Sequence, residues 1–149
     1  MKAAYTRRRL LGTGAALAGA TLLPQARACE YFSANLRVVH PWTRATPEGA
    51  TTTLVSMNFD DVTVADRLIE VITPVAEGAE LVVDGEARAL AFEIPEGQVS
   101  VLDERGSHRL RLLGLRHPLE IARTYPMRLV FEQGGMVLAT LNVDYPRFR

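Results

Sequence analysis

Between residues 31 and 143 apolar side chains recur with period two, in short runs separated by turn-forming residues. That pattern restricts the chain to an all-β sandwich or barrel. Nine runs carry it: 31–39, 52–59, 67–72, 79–83, 87–94, 98–102, 109–115, 127–132 and 136–143. The breaks between them hold turn chemistry, among them Thr46-Pro47-Glu48-Gly49, Asp84-Gly85, Pro95-Glu96-Gly97 and Gly134-Gly135. In the run 52–59, Thr53, Val55, Met57 and Phe59 share one face, so Met57 is expected in the core. The run 127–132 alternates less cleanly, which predicts a strand covered partly on both faces. No four-turn helical stripe, internal repeat or low-complexity segment follows residue 28. The expected architecture is a two-sheet Greek-key β-sandwich.

Residues 1–28 read as a cleaved export signal. Thr6-Arg7-Arg8-Arg9-Leu10-Leu11 forms a twin-arginine type n-region, residues 10–23 a short apolar stretch, and Ala26-Arg27-Ala28 a small-x-small cleavage site. An uncleaved anchor fits poorly, because a stretch of about 14 residues at ~1.5 Å each reaches only about 21 Å across a hydrocarbon core of roughly 30 Å. Cleavage after Ala28 leaves Cys29 first in the mature chain, so a lipoprotein is the alternative, though Arg27 suits a lipobox badly. The expectation is a periplasmic protein whose domain spans residues 29–149, with no membrane span in it.

Loss of the leader removes five basic residues and no acid, leaving twelve arginines against seventeen acids, a charge of −5. This argues against nucleic acid or anionic membrane as a partner, since both reward clustered cations. The 121 mature residues suit one domain with one core. A single cysteine forms no internal disulfide, so packing must hold the fold.

Two blocks are more specific. The first is His40-Pro41-Trp42-Thr43-Arg44-Ala45-Thr46-Pro47-Glu48-Gly49-Ala50, and the second is His108-Arg109-Leu110-Arg111-Leu112-Leu113-Gly114-Leu115-Arg116-His117-Pro118-Leu119. With the closing run Pro126-Met127-Arg128-Leu129-Val130-Phe131-Glu132 and Gly134-Gly135, they resemble the periplasmic copper chaperones of the PCu(A)C family over residues 30–143. The resemblance implies a cupredoxin-like or immunoglobulin-like β-sandwich, copper(I) as cargo, and a periplasmic copper-receiving partner such as an oxidase subunit. It implies a carrier and not an enzyme.

Copper(I) is soft, and a carrier that must release it is well served by thioether and imidazole ligands. In the family pattern a histidine follows a Glu-Leu pair, a methionine comes from the loop beyond, and a His-x-Met closes the site. Here Glu80-Leu81 is followed by Val82, and the loop Asp84-Gly85-Glu86-Ala87-Arg88 has no sulfur. His108 matches the last histidine, with Leu110 in place of the methionine. Counting back from Gly114-Leu115 instead places the pair at Arg109 and Arg111, and a cation ~4 Å from a metal ion costs roughly 4 kcal/mol at an effective dielectric of about 20. The usual site is therefore expected to be altered. Cys29, His40 and His108 remain as candidate copper donors, a thiolate with one or two imidazoles being a tight set. Each also has a structural reading: Cys29 as a chain-terminal thiol, His40 as a strand-end residue beside Trp42, His108 as a strand-edge residue. His117 reads as a surface residue.

Other chemistries lack support. Ser107, His108 and Asp103 lie close together without a nucleophile elbow. Asp60, Asp61 and Asp66 lack the spacing of a calcium loop and read as solvated turn residues. No phosphate-cradling glycine loop is present. Two functions follow: a secreted copper-chaperone-like protein with an altered or weakened copper(I) site, or a metal-free periplasmic interaction or assembly module that kept the fold and lost the ligands.

Overall fold

The computed structural model describes residues 29–145, and the export signal read from residues 1–28 lies outside them. The described residues form eleven strands and no helix: β1 (Glu30–Phe32), β2 (Arg37–Thr43), β3 (Thr52–Asp60), β4 (Asp66–Ile72), β5 (Gly78–Val83), β6 (Glu86–Arg88), β7 (Phe92–Ile94), β8 (Ser100–Leu102), β9 (His108–Leu113), β10 (Thr124–Phe131) and β11 (Gly135–Val143). One hydrogen-bonded path runs β6-β5-β9-β3-β2-β11-β10-β4-β7, with β1 added to β2 and β8 to β3. The path curls on itself, and its inward side chains make one core. Consecutive strands β3 and β4, β4 and β5, and β9 and β10 cross between the two sides instead of pairing. This is the expected Greek-key β-sandwich.

The core follows the period-two pattern. Val55, Met57 and Phe59 of β3 are buried, Met57 as expected. The Phe59 ring meets Phe131 edge-on at a centroid distance of 6.0 Å and Phe92 at 5.8 Å. A second, smaller cluster of Val75, Leu119 and Val143 closes one end.

Three expectations need correction. The run 31–39 is two strands, because the Ser33 hydroxyl accepts hydrogen bonds from the Asn35 and Leu36 amides, both at 3.1 Å, and turns the chain. The run 87–94 is also two, broken at Ala89-Leu90-Ala91, where Leu90 dips into the core. In β10 the alternation is clean: Met127, Leu129 and Phe131 are buried, while Pro126 and Arg128 are exposed and Val130 is half-buried. This strand is central, between β4 and β11, and its outer face is left open.

The acidic residues read as solvated turns are also structural. Arg37 binds Asp60 through both oxygens, at 2.6 and 2.8 Å, tying β2 to β3. Asp66 is buried and accepts the Arg67, Gln133 and Gly134 amides, each at 2.8 Å. Gly114 turns the chain at φ +62°, in the left-handed region that favours glycine, with the Glu77 side chain packed over it.

Candidate metal-donor sites

Donors gather at an irregularity in β2. Val39 stands opposite Asn58 and Trp42 opposite Ser56, so His40 and Pro41 together face the single residue Met57, a β-bulge. His40 adopts φ +48°, in the left-handed region. Its successor is proline, which disfavours the right-handed helical region for the residue before it and has no N–H for the ladder. Sequence thus favours irregularity at this dipeptide, and His40 stands inside β2, not at its end.

Cys29 lies across from the bulge. Its carbonyl accepts the His40 amide at 2.6 Å. The side-chain amide of Asn142, on β11, points at Cys29 Sγ (3.3 Å), Pro41 O (3.0 Å) and Thr140 O (3.3 Å). His40 Nε2 lies 4.0 Å from Asp144 Oδ2. Two of the three candidate donors, Cys29 and His40, are therefore neighbours. Asn142 was missed by sequence reasoning; its one signal is an amide side chain inside the apolar run Leu141-Asn142-Val143.

His108 is set apart from them, on β9, with β3 between it and β2. Its ring meets Phe92 edge-on at 5.8 Å, and its Nδ1 is 3.0 Å from Ser107 Oγ, so Nε2 is the nitrogen left for another partner. The exposed ring forms part of an open cleft of about 500 Å³ whose other walls include Leu81, Val83, Arg88 and Phe92. His117 is exposed beside Tyr125, as read from sequence. Among the described residues no group of three or more histidine, cysteine, aspartate or glutamate side chains is arranged to hold a metal ion.

The pairing of β5 with β9 places the residues of the second block. Val83 stands opposite His108, Val82 opposite Arg109, Leu81 opposite Leu110 and Glu80 opposite Arg111. Directly opposite residues share a face, so Val82, Arg109 and Arg111 stand together, and His108 and Leu110 stand on the other side. Leu110 is fully buried. Arg111 is held by Glu80, Nε to Oε1 at 2.6 Å, whereas Arg109 Nε is buried without a hydrogen-bond partner.

Arg44, from the first block, reaches across to Glu104, with Nε donating to Oε2 at 2.6 Å. This hydrogen bond, helped by the charges of Arg44 and Arg105, holds the Glu104 carboxyl below the usual range. A carboxyl lowered by folding adds stability above its unfolded pKa, and that stability is lost as pH falls through the folded value. Denaturation midpoints should therefore fall on acidification, and Glu104→Gln should flatten part of that dependence. An unchanged pH profile in the variant would mean that the pair contributes nothing, as many exposed pairs do.

Comparison with known proteins places these features. Residues 36–143 match a family model described as LpqE-like lipoprotein. No curated protein matches the chain. The copper-bound PCuAC domain from PmoF2 superposes with a TM-score of 0.70 at 24% identity, covering 78% of this chain and 98% of that one. The apo PCuAC domain from PmoF1 gives 0.70 at 26% identity, covering 78% and 99%. The solution structure of Cu(I)-DR1885 from Deinococcus radiodurans gives 0.59 at 20% identity, covering 70% and 75%.

Proposed function

Because this chain belongs to the LpqE-like family, of the PCuAC type, we propose that it is a periplasmic copper-chaperone-like protein with an altered copper(I) site, delivering metal to an exported copper enzyme. Copper is its cargo, and an oxidase subunit is the kind of receiver the family implies. The carrying observation is the backbone hydrogen bond from the His40 amide to the Cys29 carbonyl at the β2 bulge, which brings together the two residues that carry a soft sulfur and an imidazole. His108 is a separate single donor. The positions facing Val82 and Glu80 are arginines, which supports the view that copper is not held there in the family's usual way.

Competition against a copper(I) chelator tests this. Wild type should take up one equivalent, and Cys29→Ser and His40→Ala should each weaken binding at least about tenfold, the effect of losing roughly 1.4 kcal/mol. His108→Ala should change it less than about threefold. An intact mass showing lipid on Cys29 would remove the thiolate from the donor set. If wild type and all variants bind negligibly, the metal-free assembly module is the function, a reading that Arg109 and Arg111 favour. No enzymatic role is proposed: Ser107 Oγ and His108 Nδ1 lie 3.0 Å apart, but they are exposed chain neighbours, and among the described residues no carboxylate accepts a hydrogen bond from that ring.

A further inference from the structure

Among the described residues nothing covers the outer face of β4, β10 and β11, which is largely apolar. Leu138 is 70% exposed, Met136 58% and Ile72 42%. The strand register makes them neighbours: Glu70, Val130 and Met136 form one row across the three strands, and Ile72, Arg128 and Leu138 form the next. Single exposed apolar residues are ordinary, but a contiguous set on adjacent strands marks an interaction surface. Two charges stand inside it. Arg128 and Glu70 occupy one diagonal of the four-residue square and Ile72 and Val130 the other. Neither charge has an ion-pair partner among the described residues.

We propose that this face docks on the same face of a second copy, about a two-fold axis lying along the Ile72–Val130 diagonal. Rotation about that axis brings Arg128 onto Glu70 of the partner subunit, and Glu70 onto Arg128 of the partner subunit. Ile72 and Val130 meet their own counterparts on the axis, and Leu138 and Met136 flank them. The charge pattern selects this occupant. An isologous interface must be complementary to itself, and a patch with one charge of each sign across an apolar diagonal satisfies that twice over. A partner of uniformly acidic or basic character would bury Glu70 or Arg128 against a like charge.

Sedimentation equilibrium on the protein, from about 1 µM to about 1 mM, tests the pairing in the range where a small interface associates. The expected mass rises from one chain to two across the series. Leu138→Asp should weaken the dimer about 100-fold, a factor of ten for each copy lost from the two-fold interface. Arg128→Glu should also weaken it, and adding Glu70→Arg should restore it to within about threefold of wild type. The three positions are exposed, so circular dichroism should show native folds, and the charge swap stands alone if Leu138→Asp does not fold. A single-chain mass throughout, assembly beyond two chains, or a dimer unmoved by Leu138→Asp and Arg128→Glu overturns the proposal.

Discussion

Phe59→Ala should lower the stability of the protein by about 4 kcal/mol, the largest effect expected of any single side chain. Phe59 is fully buried, the last inward-facing residue of β3, and its ring meets both Phe92 and Phe131. Truncation removes its own transfer free energy and leaves a cavity between β3 and the rings of β7 and β10, which belong to the opposite side of the sandwich. Neither side can relax into it, because β3 is pinned between β2 and β9 and β10 between β4 and β11. A domain of this size has about 5–15 kcal/mol to lose, so the variant should sit close to its unfolding midpoint in dilute denaturant. A loss below about 1.5 kcal/mol in chemical denaturation would mean that the sheets close over the gap and that the ring cluster is not the keystone of the core.

Asp66→Ala should cost about 3 kcal/mol, by a different mechanism. The buried carboxylate gathers three backbone amides, and those of Gln133 and Gly134 belong to the turn that joins β10 to β11. Alanine removes the charged acceptor that all three amides share, and hydrogen bonds to a charged group contribute more than average ones. Gly134 is part of the same device, since a Cβ there would lie 2.9 Å from Asp66 Oδ2. Amide exchange reads the effect locally: Gln133 and Gly134 should lose protection before the rest of β10 and β11. Asp66→Asn keeps one good acceptor and should cost less than the alanine variant. Equal losses in the two would assign the effect to charge instead of to the amides.

The strand pattern was legible because each strand buries one face, which writes alternation into residues such as Val55, Met57 and Phe59. It failed where a short polar device interrupts an apolar run, as Ser33 does between β1 and β2. Side chains that fold back on the backbone leave no periodic trace. Asp66 misled for the same reason, because an acid beside a loop looks alike whether it faces water or caps a turn. The donors were legible as residue types and not as a site. That Cys29 and His40 meet depends on β1 folding back on β2, and that His108 stands apart depends on β3 lying between, neither of which local spacing records. The face taken by each residue of the second block was equally hidden, since it is decided by the register of β5 against β9.

The parallel contact between β2 and β11 has a consequence for how the chain is made. Trp42 pairs with Asn142 and Thr43 with Val143, residues about one hundred apart in sequence. Closing so long a loop costs about 4 kcal/mol of chain entropy before any contact there returns it. The two halves of the sandwich therefore cannot lock together before β11 has been made, and β2 keeps an unfilled edge until that strand arrives. A message or a protease cut that ends the chain before Gly135 would leave that edge bare for strands of other molecules to join, and truncated products should collect as aggregates instead of accumulating as soluble fragments.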